Sequence, residues 1–173
     1  DLIIKDVWTD YKSLFHAKAD NIKNPKYFRF FKKEITGARI VNASRRGKNI
    51  LIHLSNGKTI LIHMKMTGHV MYGKYEKDGK IWKAVEAGPL RDDPFNRFVH
   101  FVLNFSNGKS MVLADMRKFA KVTLVKTSEI ISADPLARCR VPYLPPRRPP
   151  SHPDGPCGRS PHHHRVYISA HSR

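Results

Sequence analysis

The feature that most constrains the fold is the four-residue segment Ser-Asn-Gly-Lys, which occurs twice, at 55–58 and at 106–109. Each copy lies between two short runs rich in β-branched and other apolar residues. These runs are 49–54 and 59–64 around the first copy, and 98–105 and 110–114 around the second. An Asn-Gly pair in this context is typical of a β-hairpin, in which both turn residues are expected to have positive φ. Two such hairpins predict a mostly β protein, an antiparallel β-sandwich with one or two helices.

The rest of the body is predicted to add a helix, two strands and a long loop. Asn24 followed by Pro25 is a typical helix start, and the aromatic residues after it give the helix an apolar face that ends near Lys33. Apolar residues at 3, 4 and 7 predict a first strand, and 120–125 predicts a last one. The charged segment 73–96 contains Gly-Pro and Asp-Pro pairs and is expected to be a loop, of a length that is often functional or mobile.

The charge of the chain predicts a polyanionic partner. The formal net charge is +18 and the sequence pI is near 10.2. Charge of this size is the electrostatic signature of phosphate binding, so nucleic acid is favoured over an anionic membrane surface. A membrane role is disfavoured because no run of about 18 apolar residues is present, nor is an amphipathic helix with aromatic anchors. A solvated basic surface without a partner is the remaining alternative.

The composition changes near residue 136. All 18 lysines lie before it, whereas eight of the 12 prolines and five of the ten histidines lie after it. We therefore expect a domain over 1–136 and a basic tail over 137–173 that is either disordered or the product of a shifted reading frame. Cys139 and Cys157 form neither a CxxC pair nor a disulfide framework, which predicts a cytoplasmic protein. The histidines at 162–164 lack the spacing of a tetrahedral zinc site.

Three segments, taken in order, are more informative than each is alone. They are Ser-Arg-Arg-Gly-Lys at 44–48, His-Met-Lys-Met-Thr-Gly at 63–68 and Asp-Met-Arg-Lys-Phe-Ala at 115–120. They resemble the Arg-Arg-Gly-Lys, His-Leu-Gly-Met-Thr-Gly and Asp-Pro-Arg-Arg-Phe-Gly motifs of the formamidopyrimidine-DNA glycosylase/endonuclease VIII family. Ile-Ser-Ala-Asp-Pro-Leu at 131–136 is similar to the Leu-Gly-Pro-Glu-Pro-Leu that closes the family's N-terminal domain. The resemblance covers residues 1–136.

The resemblance implies a base-excision repair enzyme that acts as a monomer on damaged double-stranded DNA. Such an enzyme hydrolyses the N-glycosidic bond of an oxidised base and then cleaves the strand by β-elimination, as a DNA glycosylase and lyase. It flips the damaged nucleotide out of the duplex, and a Met, an Arg and a Phe fill the space that is left. The matching positions are Met66, Arg117 and Phe119. Judged singly, each is more often a core or surface residue, and only their joint context favours this role.

The resemblance also implies phosphate contacts. Lys48 matches the family lysine that binds phosphates beside the lesion and assists elimination. His63 opens the second motif and is expected either to contact phosphate or to serve as a strand histidine with a satisfied hydrogen bond. His100 matches the second His of the family's His-x-His segment, and Phe98 stands where the first would be.

Several family features have no match in this sequence. The family begins with Pro-Glu, where the proline amine attacks the sugar and the Glu transfers protons, whereas this chain begins with Asp1-Leu2. We therefore expect the chain as written to be inactive, with a non-catalytic basic nucleic-acid-binding β-domain as the alternative. The helix–two-turn–helix segment and the C-terminal zinc finger are unmatched too, so no cofactor is expected in this chain. Smaller departures are Lys65 for Gly, Met116 for Pro, Lys118 for Arg and Ala120 for Gly.

Overall fold

Ten strands and three short helices form the protein in a computed structural model that describes residues 1–11, 18–79 and 81–132. The strands are β1 (Ile4–Thr9), β2 (Ile40–Arg46), β3 (Asn49–Leu54), β4 (Lys58–His63), β5 (Gly68–Gly73), β6 (Tyr75–Asp78), β7 (Ile81–Ala84), β8 (Val99–Phe105), β9 (Ser110–Asp115) and β10 (Lys121–Lys126). The helices are α1 (Pro25–Ile35), a 3-10 helix (Pro94–Phe98) and α2 (Thr127–Ser132).

Two four-stranded antiparallel sheets pack face to face. Their strand orders are β1-β8-β9-β5 and β10-β4-β3-β2. The predicted antiparallel β-sandwich with one or two helices is therefore confirmed. The apolar side chains between the sheets are fully buried, and each such side chain contributes about 1.5–3 kcal/mol on burial. They include Ile4, Ile60, Ile62, Phe101, Leu113 and Val122.

Both Ser-Asn-Gly-Lys segments form the predicted hairpin turns, but with a different backbone. Only the glycines are left-handed, Gly57 at φ 74° and Gly108 at φ 75°, so the expectation of positive φ at both turn residues was wrong. Each asparagine instead uses its side-chain oxygen, which accepts from the backbone N–H two residues later, over 3.3 Å at Asn56 and 3.0 Å at Asn107. A side-chain hydrogen bond of this kind stabilises a turn without positive φ at the asparagine.

The predicted helix begins as expected. The Asn24 side chain caps α1 by accepting from the Lys26 N–H over 2.9 Å, and Pro25 occupies the first turn. The helix ends at Ile35, two residues past the predicted end, because Ile35 is still buried in the core. Phe31 packs edge-to-face on Phe101 with ring centroids 6.1 Å apart, which joins the helix to the first sheet.

The segment 73–96 is not the long loop that was predicted. It contains the β6–β7 hairpin, and the 3-10 helix begins within it at Pro94. Trp82 of this hairpin packs 5.7 Å from Trp8, and with Met71 and Val102 it forms a second apolar cluster on the outer face of the first sheet. The two strands were not predicted because each is four residues long and most of their exposed positions are charged.

The structure also contains an apolar cavity between the two sheets. On the side of the edge strands β2 and β5, the sheets leave an apolar cavity of 340 Å³, lined by residues such as Ile50 and Tyr72. Within the described ranges, no helix has the length and apolar character needed to cross a membrane. The predicted domain boundary at 136 and the tail 137–173 lie outside the described residues.

Candidate nucleic-acid interface

The sequence motifs meet at one end of the sandwich. β4 and β9 each run from a Ser-Asn-Gly-Lys turn to a loop at the opposite end. These are the first motif loop (64–67), between β4 and β5, and the second motif loop (116–120), between β9 and β10. The β2–β3 turn lies at the same end, since the Met64 N–H donates to the Lys48 carbonyl over 2.9 Å. We call this end of the molecule the loop end and the other the turn end.

Asp115, the last residue of β9, fastens the two motif loops together. Its carboxylate is 0% exposed and accepts from the Thr67 hydroxyl over 2.5 Å and from the Ala120 N–H over 2.6 Å. The Tyr11 hydroxyl also donates to it, over 3.4 Å. Burial, helped by the negative charge of Asp115, raises the pKa of Tyr11 far above its usual range, so the phenol stays protonated and can donate. The two loops are therefore held side by side by one buried side chain.

Large apolar side chains point away from the core in both motif loops. Met66 is 66% exposed in the first loop, and Phe119 and Met116 are 56% and 53% exposed in the second. The Arg117 guanidinium lies 5.1 Å from the centre of the Phe119 ring, a cation–π arrangement. Exposed large apolar side chains on two joined loops are a frequent feature of interaction sites when they form a contiguous patch. The structure thus brings together the predicted residues Met66, Arg117 and Phe119.

Lys48 and His63 lie at the same end, with different exposure. Lys48 is exposed in the β2–β3 turn. His63, at the end of β4, is half-buried, and its Nδ1 accepts from the Lys65 N–H over 3.0 Å. His63 therefore supports the backbone of the first motif loop, and Lys48 presents its ammonium group to solvent.

His100 is turned toward an acidic neighbour. Its Nδ1 lies 2.9 Å from an Asp10 carboxylate oxygen, and its side chain is only 12% exposed. Its ring is tilted against Tyr11 at a centroid distance of 5.6 Å. His100 lies near the motif loops, but one ring nitrogen is already engaged by Asp10.

The backbone of both motif loops is strained. Lys65 has φ 57° and Lys118 has φ 55°, and these are the two non-glycine residues in the left-handed region among those described. Lys65 stands where the family motif has Gly, so the substitution costs about 1–2 kcal/mol. Ala120, the other Gly replacement, is not left-handed, so it carries no such strain. Gly68 is required for space, since a Cβ there would lie 2.3 Å from the Met64 carbonyl oxygen.

Four residues that support the loops were not singled out from the sequence as site residues. Asp115 opens the third motif, so its place in that motif was a usable signal. Asp10 and Tyr11 follow β1, and Lys23 precedes α1, in segments without any motif. The Lys23 ammonium group donates to the Lys118 carbonyl over 2.6 Å and lies 5.5 Å from the centre of the Tyr11 ring. Partial burial lowers the pKa of Lys23, and the charge of Lys65 adds to this, while Asp115 opposes it.

The charge at the loop end is mostly positive. The two acidic groups beside the motif loops, Asp10 and Asp115, are engaged by neighbouring donors. Within the described part of the chain, no group of three or more His, Cys, Asp or Glu side chains is arranged to hold a metal ion. The described cations at this end include Lys23, Arg46, Lys48, Lys65, Arg117, Lys118 and Lys121.

Comparison with known proteins gives consistent matches. The family model for the formamidopyrimidine-DNA glycosylase N-terminal domain matches residues 8–122. The formamidopyrimidine-DNA glycosylase of Pelotomaculum thermopropionicum is 36% identical over 100 residues, which is 58% of this chain and 30% of that protein. The enzyme of the same name from Desulforamulus reducens is 31% identical over 114 residues, 65% of this chain and 35% of its own length. This chain thus spans about a third of the length of these relatives.

Solved structures share the fold. Lactococcus lactis Fpg in complex with DNA containing an abasic site superposes with a TM-score of 0.54 at 21% identity, covering 76% of this chain and 39% of that one. The complex of the same protein with DNA containing Fapy-dG gives the same TM-score and identity, covering 76% and 40%. At this level of identity the likeness concerns the fold.

Proposed function

Because this chain belongs to the formamidopyrimidine-DNA glycosylase family, we propose that it is the DNA-facing part of a base-excision repair glycosylase that acts on oxidised bases in duplex DNA. The reaction is hydrolysis of the N-glycosidic bond followed by β-elimination at the abasic site. The observation that carries this proposal is the joint placement of Met66, Arg117 and Phe119 by the buried carboxylate of Asp115. Damaged DNA in the solved complexes of Lactococcus lactis Fpg supports the choice of partner.

Recognition follows from the shapes of the exposed side chains. A nucleotide flipped out of the duplex leaves an unstacked gap and an unpaired base, at a cost of about a few kcal/mol. Met66 and Phe119 are apolar and exposed on two loops that Asp115 joins, so they are suited to fill this gap. Arg117 is stacked against the Phe119 ring, and its guanidinium can donate hydrogen bonds to the unpaired base.

Phosphate binding is assigned to the cations around the motif loops. Lys48 is exposed and its ammonium group can bind a phosphate beside the lesion, where it would also offset the charge that develops during elimination. His63 and His100 are proposed as weaker contacts, since one nitrogen of each ring is already used within the protein. Binding of this kind weakens steeply with salt because it releases counterions from DNA.

The chemistry of base removal is proposed to need groups that these 173 residues do not supply. No residue of the chain matches the N-terminal Pro-Glu of the family. We expect that the 173-residue chain alone, mixed with abasic duplex and borohydride, gives no covalent adduct. An adduct would show that an amine of this chain acts as the nucleophile.

Lesion preference separates this function from that of a non-catalytic basic binding domain. Fluorescence anisotropy would compare an intact duplex with a matched duplex that carries a tetrahydrofuran abasic analogue. We expect tighter binding to the abasic duplex by about tenfold. Equal affinity for the two duplexes would favour the non-catalytic domain and overturn the proposal.

Two variants and a control test whether the motif loops cause the preference for the abasic duplex. Met66→Ala and Phe119→Ala are expected to remove most of the preference while leaving affinity for the intact duplex nearly unchanged. Ile81→Ala is the matched control, because Ile81 is an equally exposed apolar residue on the β6–β7 hairpin. A loss of preference in the Ile81 variant would place lesion recognition elsewhere on the molecule.

A further inference from the structure

Lys118 is held at three points in its strained conformation. Its N–H donates to the Asp115 carbonyl over 3.0 Å, which closes the turn. Its carbonyl accepts from the Lys23 ammonium group over 2.6 Å, and its own ammonium group lies 3.1 Å from an Asp10 carboxylate oxygen. A residue in a sparsely populated backbone region persists only when its surroundings impose it. Asp10 and Lys23 supply two of the three restraints.

Both restraining residues are themselves fixed. The Asp10 N–H donates to the His100 carbonyl over 3.2 Å, and the Asp10 carboxylate also contacts the His100 ring. Lys23 follows Ile22, whose N–H donates to the Val122 carbonyl over 3.2 Å, and the Lys23 N–H donates to the Asn21 side chain over 2.9 Å. Two rigid segments outside the motifs therefore reach the second motif loop.

The position of Lys118 decides where its neighbours point. Arg117 and Phe119 flank it, so the backbone direction at Lys118 sets the direction of both side chains. Asp10 is unfavourable for general binding to DNA, because a carboxylate on this surface repels phosphates. Its contacts to Lys118 and His100 indicate that the Asp10 carboxylate stabilises the structure of the protein and does not bind DNA directly.

We propose that Asp10 and Lys23 are positioning residues for lesion recognition, which hold the second motif loop so that Arg117 and Phe119 enter the space of the flipped nucleotide together. The inference rests on the proposed function of these two side chains. It adds two residues that lie outside the three motifs and contact the second motif loop at Lys118.

The first test replaces Asp10 by its uncharged isostere in the full chain. Asp10→Asn is expected to lower the preference for tetrahydrofuran duplex over intact duplex about threefold, the size expected for a partly exposed ion pair. Affinity for intact duplex should rise slightly, since one repelling charge is lost. The control is Asp6→Asn, which removes the same charge from an exposed pair with Lys32 on α1. An equal gain for both duplexes in the Asp10 variant, as in the control, would overturn the inference.

A double variant separates this inference from the function on which it rests. If Asp10 acts through the loop, adding Asp10→Asn to Phe119→Ala lowers the preference no further. If Phe119→Ala alone leaves the preference intact, the proposed function itself fails. If Phe119→Ala lowers it and Asp10→Asn does not, only the positioning role fails.

The role of Lys23 is tested by comparing a Lys23 variant with a control variant that loses the same charge. Lys23→Met and Lys26→Met each remove one cation, but Lys23 donates to the Lys118 carbonyl, whereas Lys26 lies in the first turn of α1. Both are expected to weaken binding to intact duplex to a similar extent. Only Lys23→Met should also reduce the preference for the abasic duplex, and an unchanged preference would exclude Lys23 from the positioning role.

Discussion

The turn end and the loop end of the sandwich differ in which residue types adopt the left-handed backbone conformation. Both need residues in the left-handed region. The turn end places Gly57 and Gly108 there, and the β2–β3 turn at the loop end also uses a glycine, Gly47. The two motif loops instead place Lys65 and Lys118 there. A side chain in this region costs about 1–2 kcal/mol, and glycine avoids that cost. The turn end is therefore relaxed, and the loop end keeps its shape through contacts made across the fold.

Those contacts converge on Asp115. At the turn end, the Oδ1 of each asparagine accepts a hydrogen bond within its own turn. The side-chain amide nitrogen donates farther along the chain, from Asn56 to the Glu34 carbonyl and from Asn107 to the Tyr72 hydroxyl. At the loop end, Asp115 joins residues that are 48 and 104 positions away in the chain. The hairpin turns thus combine a local hydrogen bond with contacts to residues 22 and 35 positions away, whereas the motif loops depend on one buried carboxylate that joins residues farther apart in the chain.

The largest loss of stability is expected when the Asp115 carboxylate, which holds the loop end, is removed. Asp115→Ala leaves three buried or partly buried donors without their acceptor, so the free energy of unfolding should fall by about 3 kcal/mol or more. Urea denaturation measures the loss. Asp78→Ala is the control, because Asp78 is highly exposed and should leave the denaturation midpoint unchanged. Equal midpoints for the wild type and the Asp115 variant would show that the loops are held by something else.

A second test compares glycines at the two ends. Gly68→Ala forces a Cβ against the Met64 carbonyl and should destabilise the fold by about 2–3 kcal/mol. Gly57→Ala meets no atom within 4 Å and should cost only its backbone strain, about 1 kcal/mol. Thermal unfolding of the two variants gives the order directly. A larger destabilisation by Gly57→Ala than by Gly68→Ala would mean that the first motif loop accommodates an added Cβ better than the hairpin turn does.

A third test removes strain from the loop end. Lys65→Gly is expected to raise the free energy of unfolding by about 0.5–1 kcal/mol, because glycine adopts the left-handed region freely, although it also loosens the unfolded chain. Lys65→Ala removes the same charge but keeps a Cβ, so it should bring no gain. If both variants are equally stabilised, charge repulsion rather than backbone strain explains the effect.

The smallest expected effect is a dependence on acid pH. Burial by itself raises the pKa of Asp10, but the hydrogen bonds and charges of His100 and Lys118 outweigh it, so the pKa lies below its usual value of 3.8. A lowered folded-state pKa stabilises the fold above the unfolded value and ceases to do so as pH falls through the folded one. The carboxylate is partly exposed, so the contribution should stay below about 1 kcal/mol.

The measurement compares melting temperatures of the wild type and Asp10→Asn across the acid range. The wild type should be the more stable near neutral pH, and the difference should vanish once Asp10 is protonated. If the difference in melting temperature persists at the lowest pH, it does not arise from the negative charge of Asp10.

The sequence predicted the fold well where structure is local. The two Ser-Asn-Gly-Lys turns, the Asn24-Pro25 helix start and the six predicted strands were found within a residue or two of where they were expected. The edge strands β2 and β5 were not predicted as strands. The β6–β7 hairpin was missed, because its apolar residues are few and become informative only when Trp82 packs on the first sheet. The motifs indicated Met66, Arg117 and Phe119 through their order in the chain, and their roles in DNA recognition remain predictions.

What the sequence determined by itself is six of the ten strands, the first helix, the positive charge and the family motifs, because turn chemistry, apolar runs and charge depend on neighbouring residues alone. What only the tertiary structure decided is which distant residues meet. The carboxylate of Asp115 faces both motif loops, and Lys118 is restrained by Asp10 and Lys23. Such contacts link positions up to 108 residues apart. They depend on the packing of two sheets, which no local pattern specifies.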